Sequence, residues 1–237
     1  RTLHRMIKRI QKDHEGGTVK RIALISVHGC PMALPGTPSV GGMNVYLRQL
    51  APLLADSGVA VDIFTRKHDA TEPLIIRLGR GARIIHLSAG PIDTPKDQLS
   101  NYLTEFESSV INFVEKERSE YDLVHSHYWL SGWVGQQLSK TWGLPHIVTF
   151  HTLSQVKQES GGGEESLHRH RTEIALAREA SRIVVFSEVE RNTLVEKYGV
   201  VEANIDVIPG GVDLSRFKPG SKLAARERLG LDAKENI

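Results

Sequence analysis

The sequence predicts an α/β protein: a Rossmann-like, doubly wound parallel sheet. Two observations carry that expectation. Apolar runs rich in β-branched residues recur along the chain, nearly continuous as in strands buried on both faces, and helical patterns separate one run from the next. In sheets of this kind ligands sit outside the carboxyl ends of the strands, so the residues that follow each run are the ones to read for chemistry.

In chain order, residues 1–15 are expected to form a short basic helix with Leu3, Met6, Ile7 and Ile10 on one face, an appendage packed on the domain or on a partner. Gly16-Gly17 separates it from the first strand, 21–27. A long turn-rich loop then leads into helix 42–57, where Pro52 removes the backbone bond to Arg48 and predicts a kink or an early end. Strands follow at 60–65, 83–87, 123–125, 146–150, 182–186 and 205–208, with helices at 97–117, 129–142, 164–180 and 188–198. Pro209-Gly210-Gly211 and Pro219-Gly220 break the alternation, and 221–229 reads as one more short helix capped by Ser221. The expected organisation is an appendage at 1–17, a Rossmann-like domain at 18–209 and a connector at 210–237.

Composition narrows the function classes. The chain is 40% hydrophobic, with 30 Lys+Arg against 28 Asp+Glu and a net charge of +2, a profile that excludes collagen-like, coiled-coil and disordered proteins. The near-neutral balance gives no broad footprint for nucleic acid, although a pI of about 8.7 leaves room for local basic pockets. No stretch approaches ~18 uninterrupted apolar residues, so neither a membrane span nor a secretory signal is expected. A single cysteine cannot form an internal disulfide, and the expected compartment is a reducing cytoplasm. A homodimer is compatible with the sequence, which does not fix oligomeric state.

Three strand ends carry candidate chemistry. The loop after the first strand starts at His28 and ends in Gly41-Gly42 directly before a helix. Two glycines let backbone N–H groups approach an anion, and the helix adds unsatisfied donors and a positive dipole end, so a phosphate or diphosphate fits. A tight strand-to-helix turn explains the same glycines, and no G-x-G-x-x-G dinucleotide fingerprint occurs.

The fourth run ends in His125, Ser126, His127, Tyr128 and Trp129. His-x-His puts two imidazoles on one strand face, as a metal pair would. No third ligand of convincing spacing accompanies them, so hydroxyl or phosphate binding is preferred, with packed histidines the plain alternative. The fifth run ends in His151-Thr152, followed by Gln155, Lys157 and the glycine run 161–163, which suits a mobile lid or a plain linker. Arg169 and Glu173 share a helix face, either as an ordinary surface ion pair or with Arg169 turned to a phosphate. Lys96 would be a second cation. Cys30 lies near His28, but Pro31 beside it gives a nucleophilic thiol no support.

The ordered set of His28, Pro35-Gly36, Gly41-Gly42-Met43-Asn44-Val45-Tyr46, residues 122–132, His151-Thr152-Leu153 and the Pro-Gly-Gly-Val-Asp-Leu-Ser-Arg-Phe-Lys-Pro segment at 209–219 resembles the retaining glycosyltransferases of family 4, which have the GT-B fold. The resemblance is strongest to members acting on inositol 3-phosphate in mycothiol biosynthesis. Sucrose-phosphate synthases are similar but usually carry a different Gly-Gly segment. It implies that the chain is the N-terminal, acceptor-binding half of a transferase moving a hexosyl group from a nucleotide sugar, UDP-linked by expectation, to a small phosphorylated polyol or sugar.

Carried over by position, Gly41 and Gly42 would bind the donor diphosphate, and His28, Asn44, Lys96, Tyr128, Thr152 and Arg169 the acceptor and its phosphate. His151 would be the catalytic-site histidine that positions the donor hexose. No metal and no cofactor beyond the nucleotide sugar is implied. Leu34 and Ser39 depart from the pattern, standing where relatives carry a polar residue and an acid. The family's second domain would begin near Gly230, so the chain alone is expected to be inactive. Two other readings stay open: a sucrose-phosphate-synthase-like activity on fructose 6-phosphate, and a non-catalytic module that holds a phosphorylated ligand.

Overall fold

The computed structural model describes residues 18–33, 41–163, 165–215 and 217–232. The basic helix expected at 1–15, Leu34, Pro35-Gly36 and Ser39 lie outside them, as does the end of the chain from 233.

Eight strands form one sheet in the order β3-β4-β2-β1-β5-β6-β7-β8. They are β1 (Arg21–Ile25), β2 (Ala60–Arg66), β3 (Ile75–Arg77), β4 (Ala82–Leu87), β5 (Leu123–His127), β6 (His146–Thr149), β7 (Arg182–Val185) and β8 (Ile205–Val207). Every neighbouring pair is parallel except β3 with β4. The helices are α1 (Gly42–Asp56), α2 (Leu103–Glu117), α3 (Trp129–Trp142), α4 (Ser154–Glu159), α5 (Leu167–Glu179), α6 (Glu188–Tyr198) and α7 (Lys222–Arg228).

β1 shows why the apolar runs are continuous. Ala23 and Ile25 pack into a core with Phe106 and Val110 of α2, while Ile22 and Leu24 pack on the other face with Leu47 and Ala51 of α1. Both faces are covered, so no position in the strand gains from being polar. A third core unites β6 and β7 with α5 and α6 through Val148, Ile183, Leu176 and Leu194.

Several boundaries differ from the sequence reading. β1 stops at Ile25 rather than residue 27, because Val27 N–H donates to the Ser131 hydroxyl and the chain turns away. β5 runs two residues past the expected end, to His127. The helix expected over 97–117 is two pieces, a 3₁₀ segment Lys96–Tyr102 and then α2. Helix α1 continues four residues beyond Pro52, since Ala51 and Leu54 bury against the sheet and hold the last turn in place, so the early end does not occur. The expected helix at 164–180 begins at Leu167, where Ser166 caps it by accepting from Arg169 N–H. Ser221 caps α7 as expected. β3 and α4 have no counterpart in the reading; at three and six residues they are too short to show a period.

Candidate functional site

From β1 the chain steps to β2 and β4 on one side, then returns to the other flank through β5. The topological switch therefore lies between β1 and β5, and the loops leaving their carboxyl ends open a crevice. His28 follows β1, Tyr128 follows β5 and His151 follows β6.

Tyr128 is the hub. Its backbone takes φ 76° and ψ 160°, a conformation that non-glycine residues adopt at a cost of ~1–3 kcal/mol. Its N–H donates to Thr149 O and its carbonyl accepts from Gly132 N–H, so the strained turn is held from both sides. The buried ring meets the His28 ring at 4.6 Å between centroids. Lys96 Nζ lies 4.4 Å and the Arg169 guanidinium carbon 4.9 Å from the centroid of the same ring. Two cations thus converge on one aromatic platform, on the wall of a cavity of about 1030 Å³ that Lys157 and His168 also line. Loss of hydration and the like charges of Arg169 and Lys157 draw the Lys96 pKa down, against Glu165.

Arg169 is not the surface group of the simplest sequence reading: it is 3% exposed and Glu173 is fully buried. Its Nε donates to Glu173 (2.7 Å), Nη1 to Glu165 (2.9 Å), and Nη2 to the Thr152 carbonyl and hydroxyl (2.9 and 3.3 Å). Of five N–H groups one is left, on Nη1, so Arg169 offers the cavity its positive charge more than a free fork. Glu173 in turn accepts from Ser154 N–H, the Ser154 hydroxyl and the Tyr198 hydroxyl. Lys157 pairs with Glu165, and Glu159 with Lys197 of α6 at 2.6 Å. The residues before the glycine run form a helix, 154–159, and within the run expected as a lid or linker Gly162 N–H donates to Lys157 O to close the turn behind that helix.

The histidines form a second cluster. His127 Nδ1 and His151 Nε2 share a hydrogen bond at 3.0 Å, His125 Nε2 meets the Thr149 hydroxyl at 2.9 Å, and the His125 and His127 rings lie 4.2 Å apart between centroids, tilted by 37°. His151 has φ 62°, a left-handed conformation at the strand end. Burial holds His151 down to about 4 and His125 to about 3, and pushes His127 and His28 well below the usual histidine value. All four are neutral at pH 7, so His151 is a hydrogen-bonding group there, with Nδ1 open to a ligand, and a weak base. A smaller cavity of about 270 Å³ lies beside it, lined by Thr152, Val156, Phe186 and Leu194 among others.

Gly41 and Gly42 stand at the start of α1, and a Cβ added to either would meet nothing within 4 Å. Among the described residues, packing does not require these glycines. Asn44 is buried: it accepts from Gly41 N–H and donates to the Cys30 carbonyl, tying the helix start to the loop after β1. Tyr46, Phe186 and Ser154 have no role in the sequence reading. Tyr46 packs edge-on to His151 and Phe186, at 5.6 and 5.2 Å. Its position one turn after Gly42, on the same helix face, is the signal that could have found it.

Comparison with known proteins gives the family and the fold of the chain. The glycosyltransferase family 4 model matches residues 40–216. A D-inositol 3-phosphate glycosyltransferase of Kineococcus radiotolerans is 39% identical over 93% of this chain and 52% of its own length. One from Saccharomonospora viridis is 41% identical over 90% of this chain and 51% of its own length. Sucrose-phosphate synthase from Thermosynechococcus elongatus superposes with a TM-score of 0.82 at 38% identity, over 91% of this chain and 54% of that one. The chain spans about half the length of the curated relatives it matches, and its fold is that of one half of a GT-B transferase.

Proposed function

This chain belongs to glycosyltransferase family 4, and on that premise we propose that it is the acceptor-binding half of a retaining transferase. The reaction passes a hexosyl group from a nucleotide sugar, a UDP-sugar, to a hydroxyl of a small phosphorylated polyol such as inositol 3-phosphate. One observation carries the choice of acceptor class: Lys96 and Arg169 converge on the Tyr128 ring beside the Thr152 hydroxyl, in a cavity large enough for a phosphorylated ring.

The donor diphosphate sits at the α1 start, where the Gly41 and Gly42 backbone meets the charge that develops as the sugar C1–O bond breaks. The acceptor hydroxyl forms the new bond to C1 on the same face, and its proton passes to the leaving diphosphate oxygen. His151 orients the hexose as a neutral hydrogen-bonding group, while His28 and Asn44 shape the acceptor side. The scheme draws on no cofactor besides the nucleotide sugar.

Calorimetric titration of the chain with inositol 3-phosphate, fructose 6-phosphate and unphosphorylated inositol tests the reading. The expected result is weak binding of inositol 3-phosphate, none of inositol, and a ~10-fold or greater loss in Lys96→Ala, the scale of one charge-assisted contact. Equal binding of inositol and its phosphate would falsify the phosphate site. Tighter binding of fructose 6-phosphate would move the assignment to a sucrose-phosphate-synthase-like acceptor, the activity named for the Thermosynechococcus neighbour. Turnover of a nucleotide sugar by this chain alone would overturn the division between acceptor and donor halves.

A further inference from the structure

Three polar side chains from separate segments, none of them among the acceptor or donor residues, point at one spot. Cys30 lies in the loop after β1, Glu72 between β2 and β3, and His86 in β4. Cys30 Sγ is 3.2 Å from His86 Nε2, His86 Nε2 is 3.7 Å from Glu72 Oε1, and the three atoms all lie within 4.8 Å of one another. Among the described residues this is the one group of three or more such ligands that converges so tightly.

The far side of each group is already anchored. His86 Nδ1 donates to the Pro73 carbonyl at 2.9 Å, which leaves Nε2 as the nitrogen with the lone pair facing inward. Glu72 Oε2 accepts from His68 N–H (2.9 Å) and Asp69 N–H (3.3 Å), which turns Oε1 toward His86. Cys30 Sγ accepts from Met32 N–H. Outer bonds that fix tautomer and orientation while the inner atoms converge are the arrangement found behind metal ligands.

We propose that Cys30, His86 and Glu72 bind a single zinc ion. A thiolate, an imidazole and a carboxylate are the donor types that zinc takes, and bond lengths of ~2.0–2.3 Å in a tetrahedral site put ligand atoms ~3.3–3.7 Å apart, close to the spacing seen. Cys30 and His86 are buried, whereas the Glu72 side chain is 21% exposed, so the ion enters past Glu72 and keeps its fourth position on that side. His68, whose Nδ1 lies 3.1 Å from Glu72 Oε2, borders that position. The role is structural. The Cys30 carbonyl accepts from Asn44, which holds Gly41 N–H, so a metal at Cys30 fastens the loop that leads to the start of α1.

Cobalt(II) titration of the full chain tests the site, because Cys30 is the only cysteine and any thiolate-to-cobalt charge-transfer band must come from it. The expected result is one equivalent bound with that band and with d–d bands of tetrahedral intensity, all bleached by zinc. Cys30→Ser should lose the band. Glu72→Gln, which keeps the side chain's size and one oxygen at the partly exposed edge of the cluster, should keep the band and bind at least ~10-fold more weakly. Cobalt bound without a charge-transfer band, which is adventitious binding by other histidines, overturns the proposal. So does an affinity unchanged in Glu72→Gln. Either result would leave a thiol hydrogen-bonded to an imidazole as the full account of the cluster.

Discussion

At the amino end of the strands, Asp62 of β2 accepts from Arg83 Nε and Nη2 at 2.6 and 3.1 Å and from the Tyr121 hydroxyl at 2.6 Å, with Arg21 3.8 Å away and Glu117 taking the outer edge of Arg83. At the carboxyl end, Glu173 and Glu165 hold Arg169, but Lys96 and Lys157 stand beside them with a cavity between. Each network is built around a buried, well-bonded carboxylate, Asp62 in the first and Glu173 in the second. They differ in what they face: the first closes on itself, while the second sets Lys96, Lys157 and Arg169 with Asp97 and Glu165 around a cavity, Arg169 being paired with Glu173. Cations turned to a cavity, more than the buried ion pair, mark the functional end.

The largest effect that separates the two ends is acid sensitivity. His28, His125, His127, His146 and His151 are all held below the usual value chiefly by burial, to about 3 for His125 and His146 and about 4 for His151. In the unfolded chain these groups take up protons near pH ~6.5; in the folded chain they do not. Stability is therefore full above pH ~6.5 and falls as pH drops toward the folded values, by ~1.4 kcal/mol per pH unit for each histidine involved. Urea unfolding between pH 7 and 5 measures the slope, and a flat profile there would contradict the neutral cluster. Arg83→Ala should lower the whole curve without changing its slope.

Next in size are the two arginines. Arg169→Ala and Arg83→Ala should each destabilise by ~3–5 kcal/mol because a buried carboxylate loses its partner, Arg83 toward the lower figure since Arg21 is near the same carboxylate. Only Arg169→Ala should also weaken binding of the phosphorylated acceptor, read under conditions where the variant is folded. A loss of acceptor binding in Arg83→Ala as well would erase the distinction between the networks. The smallest effect is expected at Ser166, which caps α5 by accepting from Arg169 N–H at 3.1 Å. Ser166→Ala should cost ~1 kcal/mol in chemical denaturation and move acceptor affinity only slightly, because Glu173 and Thr152 still hold the guanidinium.

What was legible in the sequence follows physical lines. The seven expected strands are present, and the central ones are readable because runs such as β1 have both faces buried, a pattern that needs no knowledge of neighbours. β3 was not legible: Ile75 and Ile76 are half-buried, and the strand exists because β4 offers it a ladder. The helix at Ser154–Glu159 is likewise invisible alone, being tied down by Ser154 to Glu173 and by Glu159 to Lys197. Among the candidate residues, His28, Lys96, Tyr128, Thr152 and Arg169 are brought together, while Asn44 turned out to be a buried link between helix and loop. Glu173 was readable as a neighbour of Arg169 but not as the centre of a buried network, because i,i+4 spacing says nothing of what covers the pair.

By itself, then, the sequence determined the parallel α/β architecture, the strand ends that matter and the family, because periodicity and short ordered motifs are local properties. The tertiary structure alone decided which cations face a cavity and which are neutralised. It also decided that the histidines at the strand ends are neutral, and that Cys30, Glu72 and His86 meet. Those outcomes depend on burial and on distances between segments far apart in the chain, and neither is encoded in any one stretch of residues.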